Sequence, residues 1–271
     1  MTQLLLALVF GALIGLSLGL GGGGGSILTV PILVYAIGQP VQLATTTSLA
    51  IVGANALVGV VGHARAGNVL PKTGLAFGLS GFLGAFAGTW LNRRVPGPLL
   101  LALFAVVMVA AAAALLRKRD GRGEQAEAQE RYDARGWLTL GLSGLVTGFM
   151  TGFFGVGGGF VIVPALVLVL GLPMRAAVGT SLLIIAINSA SGLIARFGSL
   201  GLDWTITALF ILGGAAGVAL GVRLAGRLPQ SSADPDVRRA HRAGGGLRAL
   251  SERPQRAVSR HRAATGAPLR G

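Results

Sequence analysis

The chain contains no cysteine, so neither a disulfide framework nor a thiolate metal site is available to it. Carboxylates are scarce: Asp120, Glu124, Glu127, Glu130 and Asp133 fall in one short stretch, Asp234, Asp236 and Glu252 lie in the tail, and Asp203 stands apart. The long apolar stretches therefore lack the Asp and Glu residues that intramembrane proton relays commonly use. That favours facilitated export, or coupling through the ionised state of the substrate itself. Of three histidines, only His63 precedes the tail, and no His-Glu-x-x-His helix is present. Intramembrane metalloprotease and serine hydrolase chemistry have no residues to work with, and no metal, cofactor or catalytic residue is expected. Charge is also sparse, at 12% of residues against 52% hydrophobic, where soluble domains carry roughly 25% charged residues.

What is present is length and apolarity. With about 20 apolar residues needed per bilayer helix, spans are expected at Leu4 to Leu20, Leu43 to Gly62, Thr73 to Leu91 and Pro98 to Leu116, then at Trp137 to Val156, Ala176 to Ala195 and Trp204 to Leu224. Two shorter pieces, Ile27 to Ile37 and Phe160 to Gly171, would be about 18 Å long as helices against a hydrocarbon core of about 30 Å. They read as half-helices or re-entrant segments. The first span lacks the basic flank of a cleaved signal peptide. The net charge of +14 would suggest nucleic acid in a soluble protein, but here Arg and Lys cluster at span ends and in the tail, where they set topology. The expected partners are the lipid bilayer and a small anionic substrate, with no nucleic acid; oligomeric state carries no sequence signal.

An internal repeat runs through both series. A shift of 133 positions, without a gap, takes Gly11, Gly15, Gly19 and Gly22 to Gly144, Gly148, Gly152 and Gly155. The same shift takes Gly24, Gly25, Pro31, Gly38 and Pro40 to Gly157, Gly158, Pro164, Gly171 and Pro173, and Thr47, Ser48 and Asn55 to Thr180, Ser181 and Asn188. It still holds at Gly84, Gly88, Arg94 and Pro96, opposite Gly217, Gly221, Arg227 and Pro229. Duplication of this kind is typical of transporters whose substrate site lies between the repeats.

Each half centres on a glycine cluster, GLGGGGGSILTVP from Gly19 to Pro31 and FGVGGGFVIVP from Phe154 to Pro164. Each helical Gly costs about 1 kcal/mol relative to Ala, so the helix is expected to break there. Unwound backbone within a membrane must line water or be buried in protein, and the start of the following short helix attracts anions. The four-residue spacings at Gly11, Gly15, Gly19 and at Gly84, Gly88 instead suit close helix packing. A dinucleotide-binding loop would need a preceding strand in a βαβ unit and is rejected.

The two Gly-rich stretches ending in Pro31 and Pro164, each followed by Thr-Ser and Asn, resemble the repeat motif of the TauE/SafE sulfite exporter family, over about residues 4 to 229. The resemblance implies a bacterial permease of two four-span halves carrying sulfite, sulfoacetate or another sulfur-containing or organic anion.

The expected substrate-binding set is Gly24, Gly25, Ser26, Thr47, Ser48 and Asn55 in the first half, and Gly157, Gly158, Gly159, Thr180, Ser181 and Asn188 in the second. Hydroxyls and amides are neutral donors that hold an oxyanion without trapping it, and the seven residues from Ser48 to Asn55 return to the same helix face. The alternative is that they hydrogen-bond between helices or to their own helix carbonyls. His63, Arg65, Arg175 and Arg196 fall near predicted helix ends, where snorkelling or topology is the common role. His63 occupies the repeat position of Arg196.

The predicted organisation is all-α: a first transmembrane repeat over 1–116, a linker over 117–136, a second repeat over 137–229 and a basic tail over 230–271. Six basic residues, Arg117, Lys118, Arg119, Arg122, Arg131 and Arg135, place the linker in the cytoplasm of a bacterial inner-membrane protein. If the short pieces do not span, the halves are parallel; if they do, each half has five crossings and the repeats are inverted. The register calls for a further span after Pro229, yet the tail is rich in Arg, Ala, Gly and Pro and holds no apolar run of that length. A shifted reading frame near codon 230 in GC-rich DNA would produce it; a disordered tail that binds anionic lipid or RNA is the other reading. The function expected is export of a small anion, the alternative an anion channel or an assembly factor without turnover.

Overall fold

In the computed structural model the described residues are 2–118, 134–196 and 201–227. Most of the expected linker and all of the tail lie outside them, as do the expectations about a disordered tail or a shifted frame. Among the described residues every regular element is helical. The order is α1 (Thr2–Gly21), α2 (Ser26–Pro31, continued by a π-turn over Ile32–Ala36), α3 (Val41–Arg65), α4 (Pro71–Asn92), α5 (Gly97–Lys118), α6 (Ala134–Phe154), α7 (Gly159–Leu168), α8 (Met174–Ala195) and α9 (Trp204–Arg227). Six of these are long and apolar enough to cross a membrane: α1, α3, α4, α6, α8 and α9. The remaining expected span, Pro98 to Leu116, falls in α5.

Each helix starts and stops for local reasons. Pro40 and Pro173 precede α3 and α8 with nearly the same backbone, ψ 145° and 143°. That extended conformation cannot join the helix that follows. Pro71 opens α4, where its missing N–H costs nothing. In α2, Pro31 has no N–H for the helical ladder and the chain widens into the π-turn directly after it.

The surface is apolar where that of a soluble bundle would be polar, and several polar side chains are buried. Leu83 and Val109 are 67% and 70% exposed, whereas Asn55, Asn188, Thr47, Ser48 and Ser181 are fully buried. An apolar exterior suits lipid as solvent, while inside the bundle polar side chains lie among buried apolar ones such as Phe77 and Phe210.

Glycine sets how the helices pair. A Cβ on Gly11 would lie 2.6 Å from the Phe210 carbonyl oxygen, one on Gly15 would overlap Gly214, and one on Gly19 would meet the Val218 oxygen at 2.6 Å. The partner numbers rise together, so α1 and α9 are parallel and in backbone contact. The pairs Gly144 with Phe77, Gly148 with Gly81 and Gly152 with Ala85 make α6 and α4 parallel in the same way. In α3 and α8 the numbers run oppositely: Leu49 meets Gly192, Gly53 meets Ser189 and Gly59 meets Leu182. These two central helices are antiparallel. Gly59 and Gly62 against Val218 and Val222 make α3 parallel to α9, and Gly74 and Gly78 against Leu183 and Ile187 make α4 parallel to α8. Two sets therefore run in opposite directions: α1, α3 and α9 in one, α4, α6 and α8 in the other. The C-termini of α1, α3 and α9 mark one end of the bundle. Helix α5 begins beside Val41, at the start of α3, so the linker that follows it leaves from that same end.

Candidate functional site

The two helix breaks meet inside the bundle. Gly22 and Gly155, one register apart, both take left-handed backbone, φ 69° and 68°, which an L side chain rarely adopts. These turns fold the chain back after α1 and α6. Beyond them Gly23 and Gly159 are in backbone contact, and a Cβ on either would overlap the other. The short helices α2 and α7 begin here, at Ser26 and Gly159. The positive ends of their dipoles thus come together in the protein interior.

The expected site residues divide around this junction. Gly25 is buried against α1, its Cβ position 2.8 Å from Leu18 N, whereas Gly24 is exposed and has only Ser17 Oγ nearby, at 3.7 Å. Ser26 donates from Oγ to the Gly23 carbonyl at 2.7 Å and so braces the first break. Gly157 and Gly158 are left-handed, φ 70° and 65°; Gly157 faces Val52 and Ile185, and Gly158 lies against Thr151. Ser181 faces the first break, its Oγ 2.6 Å from the Cβ position of Gly22, while donating to the Val178 carbonyl at 2.8 Å. Thr180 accepts from Leu70 N at 3.0 Å. Their counterparts Thr47 and Ser48 are buried with no hydrogen-bond partner. Asn55 packs on Gly214 of α9 and Asn188 on Gly81 of α4, and both amides are buried with neither polar atom bonded. The structure thus brings Gly22, Gly23, Gly159 and Ser181 together at the junction, leaves Gly24 exposed, and sets the two asparagines against different helices.

A second polar cluster closes the end of the bundle opposite the linker. Arg196, directly after α8, is only 3% exposed. Its Nη1 donates to the Gln42 carbonyl at 3.1 Å, to Thr45 Oγ1 at 2.8 Å and to Thr46 Oγ1, and its Nη2 donates to Asn92 Oδ1 at 2.8 Å. Asn92 Nδ2 donates in turn to the Phe153 carbonyl at 2.6 Å, beside the second break. Sequence alone did not single out Gln42 or Asn92. The available signal was Arg196 standing where the other half has His63. Elsewhere, a cavity of about 430 Å³ between α3 and α8, bounded by Ala50, Ala54, Leu57, Ala190 and Leu193, is almost wholly apolar and offers an anion nothing.

The family model for the sulfite exporter TauE/SafE family matches residues 7–235. The chain belongs to that family. Among similar proteins, a probable membrane transporter protein of Xylella fastidiosa (strain 9a5c) is 38% identical over 235 residues, covering 84% of this chain and 87% of the relative. The probable membrane transporter protein YdhB of Bacillus subtilis (strain 168) is 28% identical over 218 residues, covering 80% and 89%. No solved structure matches the chain. It is a membrane transporter of the TauE/SafE family with six candidate membrane-spanning helices.

Proposed function

We propose that the chain is a permease of the bacterial cytoplasmic membrane that exports a small anion, sulfite, a sulfonate or a related sulfur-containing or organic anion, through a path where the two glycine breaks meet. The carrying observation is the backbone contact of Gly23 with Gly159, which brings two half-helix starts together inside the bundle. Half-helices that start near the middle of a membrane favour anionic groups. The relatives' names speak of transport and the family's name of sulfite; the anion is this reading's own step.

The halves are further read as an inverted repeat, with five segments in the first half and four among the described residues of the second. Helices α1 and α6 occupy the same register and belong to oppositely directed sets, as do α3 and α8. On this reading the linker end carries Arg65, Lys72, Arg175, Arg223 and Arg227, and the other end Arg93, Arg94 and Arg196. The excess of positive charge puts the linker end in the cytoplasm.

The test is efflux from proteoliposomes loaded with sulfite, sulfate, sulfonates or small carboxylates. The parent should release at least one of them by saturable flux, and Gly158→Leu, whose side chain would collide with Thr151, should insert yet transport at background. An inserted, monodisperse parent that moves none of these anions would refute the reading and favour an assembly role.

A further inference from the structure

At the end of the bundle opposite the linker, four helices are tied by side chains. Arg196 after α8 holds α3 through Gln42, Thr45 and Thr46, and α4 through Asn92. Asn92 and Thr89 of α4 in turn hold the last turn of α6, by bonds to the carbonyls of Phe153 at 2.6 Å and Gly152 at 3.3 Å. Gly155, the first residue of the second break, packs directly on Thr45. These contacts join the second break to this end of the bundle.

The linker end is built differently in the same register. Position 63 is His in place of Arg196, Val178 and Gly179 replace Thr45 and Thr46, and Val222 and Ala225 replace Thr89 and Asn92. There His63 Nε2 contacts the Gly19 carbonyl at 3.1 Å, and the α3–α4 turn meets Thr180. Among the described residues the guanidinium network is thus found at one end, and that end also carries Arg93 and Arg94, with Trp90 stacked beneath Arg94.

We propose that Arg196 is the anion-binding residue of an outer gate. Its guanidinium holds the outer end shut through Thr45, Thr46, Asn92 and the Gln42 carbonyl, and a departing oxyanion opens the gate by replacing them. The acceptors named are neutral oxygens. An oxyanion adds an attraction of opposite full charges that these neutral oxygens lack, and the planar fork of Arg matches two oxygens of a sulfonate or sulfite at once. The exchange therefore runs downhill when an anion arrives and reverses when it leaves. His63 has no such fork, so the gate responds to the anion at one end of the path. This proposal rests on the anion-permease reading, and its test separates the two.

Because the chain has no cysteine, a single reporter thiol can be placed without background. Val52→Cys faces the second break beside Gly157, and its rate of modification by a membrane-impermeant thiol reagent applied from the outer side reports gate opening. In the Val52→Cys protein modification should be slow and should rise several-fold with methanesulfonate or sulfate. With Arg196→Gln added it should be fast, about tenfold or more above the parent, and no longer respond to the anion. Thr45→Val with Thr46→Val leaves the guanidinium but removes two acceptors, and should also speed modification while keeping the anion response. This pair provides the test if Arg196→Gln does not fold. His63→Gln should leave outer-side modification unchanged. Equal rates in parent and gate variants, or a parent rate that no anion alters while the same protein carries anion in the efflux assay, would overturn the gate and leave the permease standing. A parent that exports no anion, and whose thiol no anion uncovers, would fail on both counts.

Discussion

The two asparagines are the residues whose chemistry is least settled by packing. Asn55 and Asn188 each bury four hydrogen-bonding positions against a glycine, and neither amide has a protein partner. A buried unsatisfied amide costs about 1–3 kcal/mol, so each needs water or substrate to complete it. If substrate does, Asn55→Ala and Asn188→Ala should each raise the half-saturating anion concentration by about fivefold, the equivalent of one hydrogen bond of about 1 kcal/mol. Saturation curves of the single and double variants decide it: curves that overlay the parent's would make both residues packing glue. The sequence made these positions visible because Asn, unlike Gly, matches rarely by chance between two halves. It could not show that Thr180 and Ser181 are bonded while Thr47 and Ser48 are not. That difference depends on Leu70 and on a local carbonyl, neither of which the register constrains.

At the scale of helices, the glycine clusters and four-residue spacings are legible in the sequence, and the helix directions are not. A four-residue glycine spacing says that a helix admits another backbone closely, but Gly15 packs equally well on a parallel or an antiparallel neighbour. Which helix Gly15 meets is a contact across roughly two hundred residues, and only the folded chain shows it to be Gly214 of α9. Arg196 was ambiguous for a related reason. A basic residue at a helix end normally reaches for the interface, and the acceptors that draw this one inward come from α3 and α4. The proposed inverted arrangement makes a sharp prediction. Arg94 and Arg227 hold the same repeat position at the ends of α4 and α9. Single cysteines at the two positions should be labelled from opposite faces of the membrane. Labelling of both from one face would mean parallel halves.

For the whole molecule, the pairing of α1 with α9 and of α4 with α6 means that neither half is complete in itself. The glycine faces of Gly11, Gly15 and Gly19, and of Gly81, Gly84 and Gly88, have their partners in the other half. During synthesis the N-terminal half enters the bilayer first, with both faces open to lipid. They close only when α6, and later α9, has left the ribosome. At about 5–20 residues per second, the stretch from α1 to α9 leaves α1 waiting on the order of ten seconds or more. Biogenesis should accordingly show a late, all-at-once assembly step. Cutting the gene within the linker should give two fragments that are degraded when made singly and that co-purify and transport when made together. A stable, protease-resistant N-terminal fragment on its own would show that the first half had found another way to cover its glycines. The same interlock makes the two halves unlike beads on a string: a lesion at the end of α9 is felt first at the N-terminal helix, on the far side of the gene.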